Sequence, residues 1–403
     1  MTTLERTNSK KLFESLCNLI PGGVHSTARA FKGVGVPPLS VERVEGDTLI
    51  DTDGQRYIDY VCCWGAIILG HNHPRVVQAV LDQMQKGMSF VNSNALELRH
   101  AELICQYMPQ IEKVRMVSSG TESTMTAIRL GRAYSGKNLL VKFDGNYHGH
   151  FDALLVKAGS SMTHQEAASK GTGVQTTVSL PYNDCAALEA FFERHGDEVG
   201  VVIIEPVAGN MGCIPGKLEF LQLLRELTSK HGAVLIFDEV MSGFRVGLHG
   251  ATGHFGITPD LICLGKVIGG GLPCAAVGGK AAIMDQLTPL GEVYQGGTLA
   301  GNPLALAAGI AVLEYLPEAF VTLERKTRII TDALKEVVPT NQMGAMFTCF
   351  IPQEAFNAYF QAMLDQGIYM PQSPYESAFV SLAHTDEHLE YTRDAMLHFL
   401  TCH

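Results

Sequence analysis

Residues 217–239 read KLEFLQLLRELTSKHGAVLIFDE. The first part repeats leucine and phenylalanine at three- and four-residue steps, the period of a helix with one buried face. After Gly232 the texture changes to an unbroken apolar run, Ala233 to Phe237, closed by Asp238 and Glu239. A strand without polar alternation is covered on both faces, as the strands of parallel sheets are. A helix feeding such a strand through a glycine is the repeating unit of an α/β domain.

The same alternation extends in both directions. VGVVIIEP (199–206), NLLVKFD (138–144) and DLICLGK (260–266) read as strands, and KVRMVSSG (113–120) as a strand and turn. TESTMTAIRLGRAYSG (121–136), PRVVQAVLDQMQKG (74–87) and ELRHAELICQYM (97–108) carry the helical period. The pattern predicts a mostly parallel sheet with helices on both sides, whose ligands gather at the carboxyl ends of its strands. Before it, residues 8–20 predict an amphipathic helix ended by Pro21–Gly23. PLSVERVEGDTLIDTDGQRYIDY (38–60) then predicts an antiparallel meander turning at Gly46-Asp47 and Asp53-Gly54. After about residue 312 a long helix, a strand and two more helices suggest a small α+β domain. The expected division is therefore 1–65, 66–311 and 312–403. Lys157–Asp184, rich in small and polar residues, interrupts the large domain as a candidate lid.

Composition narrows the function classes. The chain has 403 residues, 41 acidic against 30 basic, and a formal charge of −11. No lysine- or arginine-rich run occurs, which argues against nucleic acid as a partner. The ten cysteines show no C-x-x-C spacing, and free thiols in a reducing cytosol are the expectation. No apolar run reaches membrane-spanning length, so a cytoplasmic protein that does not engage a membrane is expected. The histidines of HNHP (71–74) and YHGH (147–150) lack the companions of a metal set, and no metal is expected.

Lys266 lies between the strand DLICL and three consecutive glycines, Gly269 to Gly271. A Walker-type phosphate loop would need glycine at Asp260 and Ser or Thr at Val267, so that reading fails. An ordinary loop lysine and a Schiff-base lysine both remain open on these residues alone. Asp238, at a strand end, is placed either as a cap or as the partner of a protonated ring nitrogen. Met116–Ser123 (MVSSGTES) is a strand, a hydroxyl-rich turn and a helix start. It offers an N-cap, an anion site, or both. DGNYHGH (144–150) follows a strand and offers an aromatic ring and a histidine.

Taken in order, SSGTES, YHGH, EPVAGN, FDEV, GKVIGGG and GGTLAGNP resemble the class III aminotransferases, a branch of the fold-type-I pyridoxal-phosphate enzymes. PGGVHSTARAF (21–31), YVCCWGAIILGHNHP (60–74) and YESAFVSLAHT (375–385) are similar to the glutamate-1-semialdehyde aminomutase branch. The resemblance runs from about residue 10 to the C-terminus and implies a large domain with a seven-stranded-type sheet plus a smaller domain. It implies pyridoxal 5′-phosphate, alternating with pyridoxamine 5′-phosphate. It also implies that Lys266 holds the cofactor covalently and moves the proton. Asp238 would face the ring nitrogen, Tyr147 would stack on the ring with His148 beside it, and Asn210 with Glu205 would serve the phenolic oxygen. Ser119, Gly120 and Thr121 would cradle the phosphate. Thr298 would reach it from the neighbouring subunit of a homodimer with shared sites.

For the substrate the resemblance implies Arg29 at a carboxylate, with Ser26, Trp64, Ser160 and Glu376 as further contacts. Structural alternatives are Trp64 as core filler, Arg29 in a surface ion pair and Glu376 as a solvated turn residue. The implied reaction is isomerisation of glutamate 1-semialdehyde to 5-aminolevulinate by way of 4,5-diaminovalerate, in tetrapyrrole (porphyrin) synthesis. The alternative is an ω-amino acid aminotransferase with a separate donor. The lid lacks the proline-rich middle associated with the family.

Overall fold

The structure, a computed structural model, describes residues 6–158, 172 and 176–402. The chain divides into two compact units, one of residues 74–320 and one of residues 1–73 with 321–403.

The first of these is built on a seven-stranded sheet. Its order is Lys113–Val117, Ala275–Gly279, Leu261–Leu264, Val234–Asp238, Val199–Ile204, Leu139–Phe143 and Thr177–Leu180. Ala275–Gly279 runs antiparallel to both neighbours, and the other pairings are parallel. The unbroken apolar runs are explained by two cores. Val201, Ile203, Val234 and Ile236 pack with Ala127, Ile128 and Leu130 of the helix Gly120–Ser135. Val202, Ile204, Leu235 and Phe237 pack with Leu188 and Phe192 of Cys185–His195 and with Phe220, Leu221 and Leu224 of Leu218–His231. Successive residues of one strand thus enter opposite cores, each large apolar side chain contributing about 1.5–3 kcal/mol by burial.

Two strands of this sheet escape the sequence reading. Ala275–Gly279 (AAVGG) is made of small residues and has no β-branched run to announce it. Thr177–Leu180 lies inside the segment expected to be irregular, and it pairs at the sheet edge with Leu139–Phe143.

The second unit joins both ends of the chain. The expected meander is present as Val41–Glu45, Thr48–Asp51 and Arg56–Asp59. The strand Ile368–Tyr369 adds to it in parallel, Ile368 opposite Ile58. A three-stranded sheet, Thr340–Met343, Met346–Cys349 and Ala378–Phe379, completes the unit with the helices Gln353–Asp365 and Asp386–Cys402. One core unites the ends, with Leu49, Tyr57 and Tyr60 packed among Phe347, Phe360 and Leu389. The three-part division expected from sequence is therefore corrected, because segments 1–65 and 312–403 share a sheet and a core. The N-terminal helix is also shorter than expected, Thr7–Cys17. Among the described residues no single helix is long and apolar enough to cross a membrane.

Candidate active site

The sheet topology gathers most of the expected site residues of the large unit at one edge. Asp238 ends Val234–Asp238, Glu205 follows Val199–Ile204, Tyr147 and His148 follow Leu139–Phe143, and Lys266 follows Leu261–Leu264. Lys113–Val117 is separated from Leu261–Leu264 by one antiparallel strand, so it runs in the common direction. Ser119 therefore follows it at the same edge. Five strand ends of one polarity meet where α/β sheets bind ligands.

Asp238 is buried, and its Oδ2 lies 2.7 Å from His148 Nδ1. Burial pushes the His148 imidazole below its ordinary pKa, with the Asp238 contact opposing. A neutral His148 donates Nδ1–H to the carboxylate and so brings it a hydrogen bond rather than a counter-charge. Asp238 Oδ1 accepts the Val240 N–H at 3.0 Å. His148 Nε2 is buried with no hydrogen-bond partner among the described residues.

Glu205 is the second buried carboxylate. Oε1 accepts the Tyr147 N–H at 3.1 Å and the Asn210 Nδ2–H at 3.3 Å, and Oε2 accepts the Gly209 N–H at 3.0 Å. Burial foremost, and then the charge of Asp238, push its pKa up to about 8. The N–H donors and the Lys266 ammonium act the other way. The carboxyl group thus ties the loop carrying Tyr147 to the turn carrying Asn210.

Ser119 caps the helix Gly120–Ser135 through a reciprocal capping box. Its Oγ accepts the Glu122 N–H at 3.3 Å, and Glu122 Oε2 accepts the Ser119 N–H at 2.9 Å. Gly120 and Thr121 occupy the first turn, where amides have no intrahelical acceptor and the helix dipole favours an anion. Both readings of this segment, cap and anion site, are therefore compatible. The loop 144–150 is fastened to the same helix. Thr124 Oγ1 donates to the His148 carbonyl at 2.7 Å, and His150 Nδ1 lies 3.2 Å from Thr121 Oγ1.

Lys266 has a left-handed backbone, φ 49°. The glycines after it serve packing. A Cβ at Gly270 would lie 2.7 Å from the backbone of Ala308, so a side chain there would push the turn off the helix Pro303–Leu313. Thr298 stands apart from this edge's secondary structure, in an exposed loop beside the exposed Tyr294 and Leu299.

The substrate residues expected from sequence, apart from Ser160, lie in the other unit. Ser26 and Arg29 are exposed and flank a single turn, Arg29 N–H donating to the Ser26 carbonyl at 2.9 Å. Trp64 is half-buried, and it lies beside Cys63. Glu376 is buried at 8% exposure, which removes the solvated-turn alternative. Ser160, with most of the candidate lid, lies outside the described residues.

Sequence reasoning missed several supports. Lys142 is fully buried, and its Nζ donates to the carbonyls of Asn146 and Leu154, at 3.0 and 3.4 Å, and of Val156. A lone lysine inside the apolar strand NLLVKF was the available signal. Thr124 gave none.

The donor set suits a flat, anionic, nitrogen-containing ring. It offers a buried carboxylate held by a neutral imidazole, an aromatic side chain, free helix N-terminal amides and a lysine, all at one sheet edge. Comparison with known proteins gives that chemistry a family. The profile of Aminotransferase class-III matches residues 31–400. A curated protein of Exiguobacterium sibiricum, glutamate-1-semialdehyde 2,1-aminomutase 2, is 46% identical over 98% of this chain and 96% of its own length. A solved transaminase with PLP bound covers 99% of this chain and 98% of its own, at 30% identity and TM-score 0.92. A solved glutamate-1-semialdehyde-aminomutase from Pseudomonas aeruginosa covers 98% of this chain and 94% of its own, at 25% identity and TM-score 0.83.

Proposed function

We propose an activity from one premise: the chain belongs to the class III aminotransferase family. It is a pyridoxal-phosphate-dependent isomerase that converts glutamate 1-semialdehyde into 5-aminolevulinate, an amino-group shift that feeds tetrapyrrole synthesis. The observation that carries the substrate is the 46% identity, over nearly the whole of both chains, to a protein of that name.

The residues at the sheet edge fit the cofactor. Pyridoxal phosphate, when bound, supplies an electron sink for the carbon that bears the amine and, as pyridoxamine phosphate, carries the amino group. Asp238, oriented by its hydrogen bond with His148, holds the ring nitrogen protonated. The N–H groups of Gly120 and Thr121, with Ser119, bind the phosphate. Tyr147 covers the ring, and Asn210 donates to the phenolic oxygen with Glu205 fixing its amide. Lys266 would anchor the cofactor between turnovers, and its Nζ, once released, would serve as the base that moves the proton. Exposed Thr298 binds the phosphate of a second copy, which makes the working form a homodimer. Arg29 pairs with the substrate carboxylate in bidentate fashion. Ser26, Trp64, Ser160 and Glu376 make further substrate contacts. The activity belongs to the cytoplasm.

A second reading has support from the higher TM-score of the transaminase, 0.92 against 0.83 for the aminomutase structure. It is amino transfer with a separate donor. The protein in its pyridoxamine form, given glutamate 1-semialdehyde and no donor, separates the two. Sustained turnover supports the isomerase. One equivalent of product followed by arrest, relieved by an added amino acid, supports the transferase.

A further inference from the structure

Cys62, Cys63 and Trp64 have φ of 47°, 51° and 57°, and Gly65 follows at 89°. Among the described residues no other run of three non-glycine residues takes the left-handed conformation. Each such residue presses its Cβ on the following carbonyl, so the turn persists only where its surroundings impose it.

Asp59 makes two contacts at the start of this turn. Its Oδ1 accepts the N–H groups of Val61 and Cys62 at 2.9 and 3.1 Å. Its Oδ2 lies 2.8 Å from His71 Nε2. Both residues are buried, at 2% and 7% exposure. His71 is itself fixed, its backbone exchanging hydrogen bonds with Gly46 at 2.6 and 3.1 Å. At the far end the turn backbone rests on an aromatic ring, since a Cβ on Gly65 would lie 2.7 Å from Phe379 Cε1.

We propose that the Asp59–His71 pair is a positioning device that imposes the strained Cys62–Gly65 turn and so sets the orientation of Trp64 toward substrate. Asp59 and His71 are positioning residues for substrate affinity, acting through the turn. The affinity part rests on the reading of Trp64 as a substrate contact. The mechanical part does not.

Trp64 is the only tryptophan in the chain, so emission excited at the red edge of the band, where the tyrosines do not absorb, reports this turn. The test compares holoenzymes of Asp59→Ala, His71→Leu, His71→Gln and Trp64→Ala with the unsubstituted protein. In Asp59→Ala and His71→Leu the emission shifts to the red and acrylamide quenching increases. KM rises about tenfold while kcat stays within about threefold, the pattern of lost uniform binding. His71→Gln, which keeps a donor toward Asp59, restores part of both readouts. Unchanged emission and quenching in Asp59→Ala overturn the positioning claim. If Asp59→Ala does not fold, unchanged emission in His71→Leu, which keeps the Asp59 contacts to the turn, overturns it. An unchanged KM in Trp64→Ala overturns instead the assignment of Trp64 to the substrate.

Discussion

His148 Nδ1 lies 2.7 Å from Asp238 Oδ2, and both side chains are buried at the carboxyl edge of the large sheet. Because burial keeps the imidazole neutral, the pair carries one negative charge rather than none. Asp238→Asn removes that charge with little change of shape and is expected to lower kcat by about 10²-fold or more. His148→Leu leaves the charge but frees the carboxylate to rotate, and a loss of about tenfold is expected, within the cost of one buried hydrogen bond. Steady-state kinetics with the cofactor absorbance spectrum of each variant checks both.

The loop 144–150 depends on a close approach at Gly149. This residue has φ 85°, and a Cβ there would lie 2.3 Å from Thr121 Oγ1. Gly149→Ala is expected to destabilise the fold by about 1–3 kcal/mol and to weaken cofactor binding, since it parts the Tyr147 loop from the start of the helix Gly120–Ser135. Gly136→Ala, at φ 69° with open space around it, carries backbone strain alone and leaves cofactor binding unchanged. Urea unfolding and a pyridoxal phosphate titration measure the two effects.

Glu205 gives stability a pH dependence. Its pKa is raised from 4.5 to about 8 by burial and by Asp238, so the folded chain holds a proton that the unfolded chain releases. A raised folded pKa means a contribution fully present below about pH 4.5 and lost as pH rises through about 8. Glu205→Gln removes this slope. The stability difference between variant and parent is expected to change by up to about 1.4 kcal/mol per pH unit inside that window. Unfolding of the cofactor-stripped proteins at several pH values checks it.

How far the sequence speaks follows from what each residue depends on. Val199–Ile204, Val234–Asp238 and Leu261–Leu264 are legible because burial on both faces demands continuous apolar residues. Ala275–Gly279 is not, since close packing there selects small side chains. The pairing of Ile368–Tyr369 with Ile58–Asp59 joins remote parts of the chain by backbone bonds, which leave no side-chain pattern. Asp238 and Lys266 are legible as polar residues that end apolar strands. That His148 is the partner of Asp238 depends on two adjacent loops, and no local period records it. The left-handed turn at Cys62–Trp64 is held by Asp59, which His71 fixes from twelve residues further on, so the turn's own residues do not announce it.

Lys142 is the support whose removal reaches furthest. Its Nζ joins the carbonyls of Asn146, Leu154 and Val156, spanning the loop that carries Tyr147 and His148. Lys142→Met keeps the apolar stem and leaves those acceptors unsatisfied. A loss of about 2–4 kcal/mol is expected, with weaker cofactor retention. Chemical denaturation and dialysis against cofactor-free buffer measure these.

The central claim is that the amino group stays within the substrate and product pool. The direct measurement supplies glutamate 1-semialdehyde labelled with ¹⁵N, an excess of unlabelled alanine, and a catalytic quantity of the protein in its pyridoxamine form. Product 5-aminolevulinate that carries the substrate's full ¹⁵N enrichment over many turnovers is the predicted result. Enrichment diluted by alanine nitrogen would contradict the account.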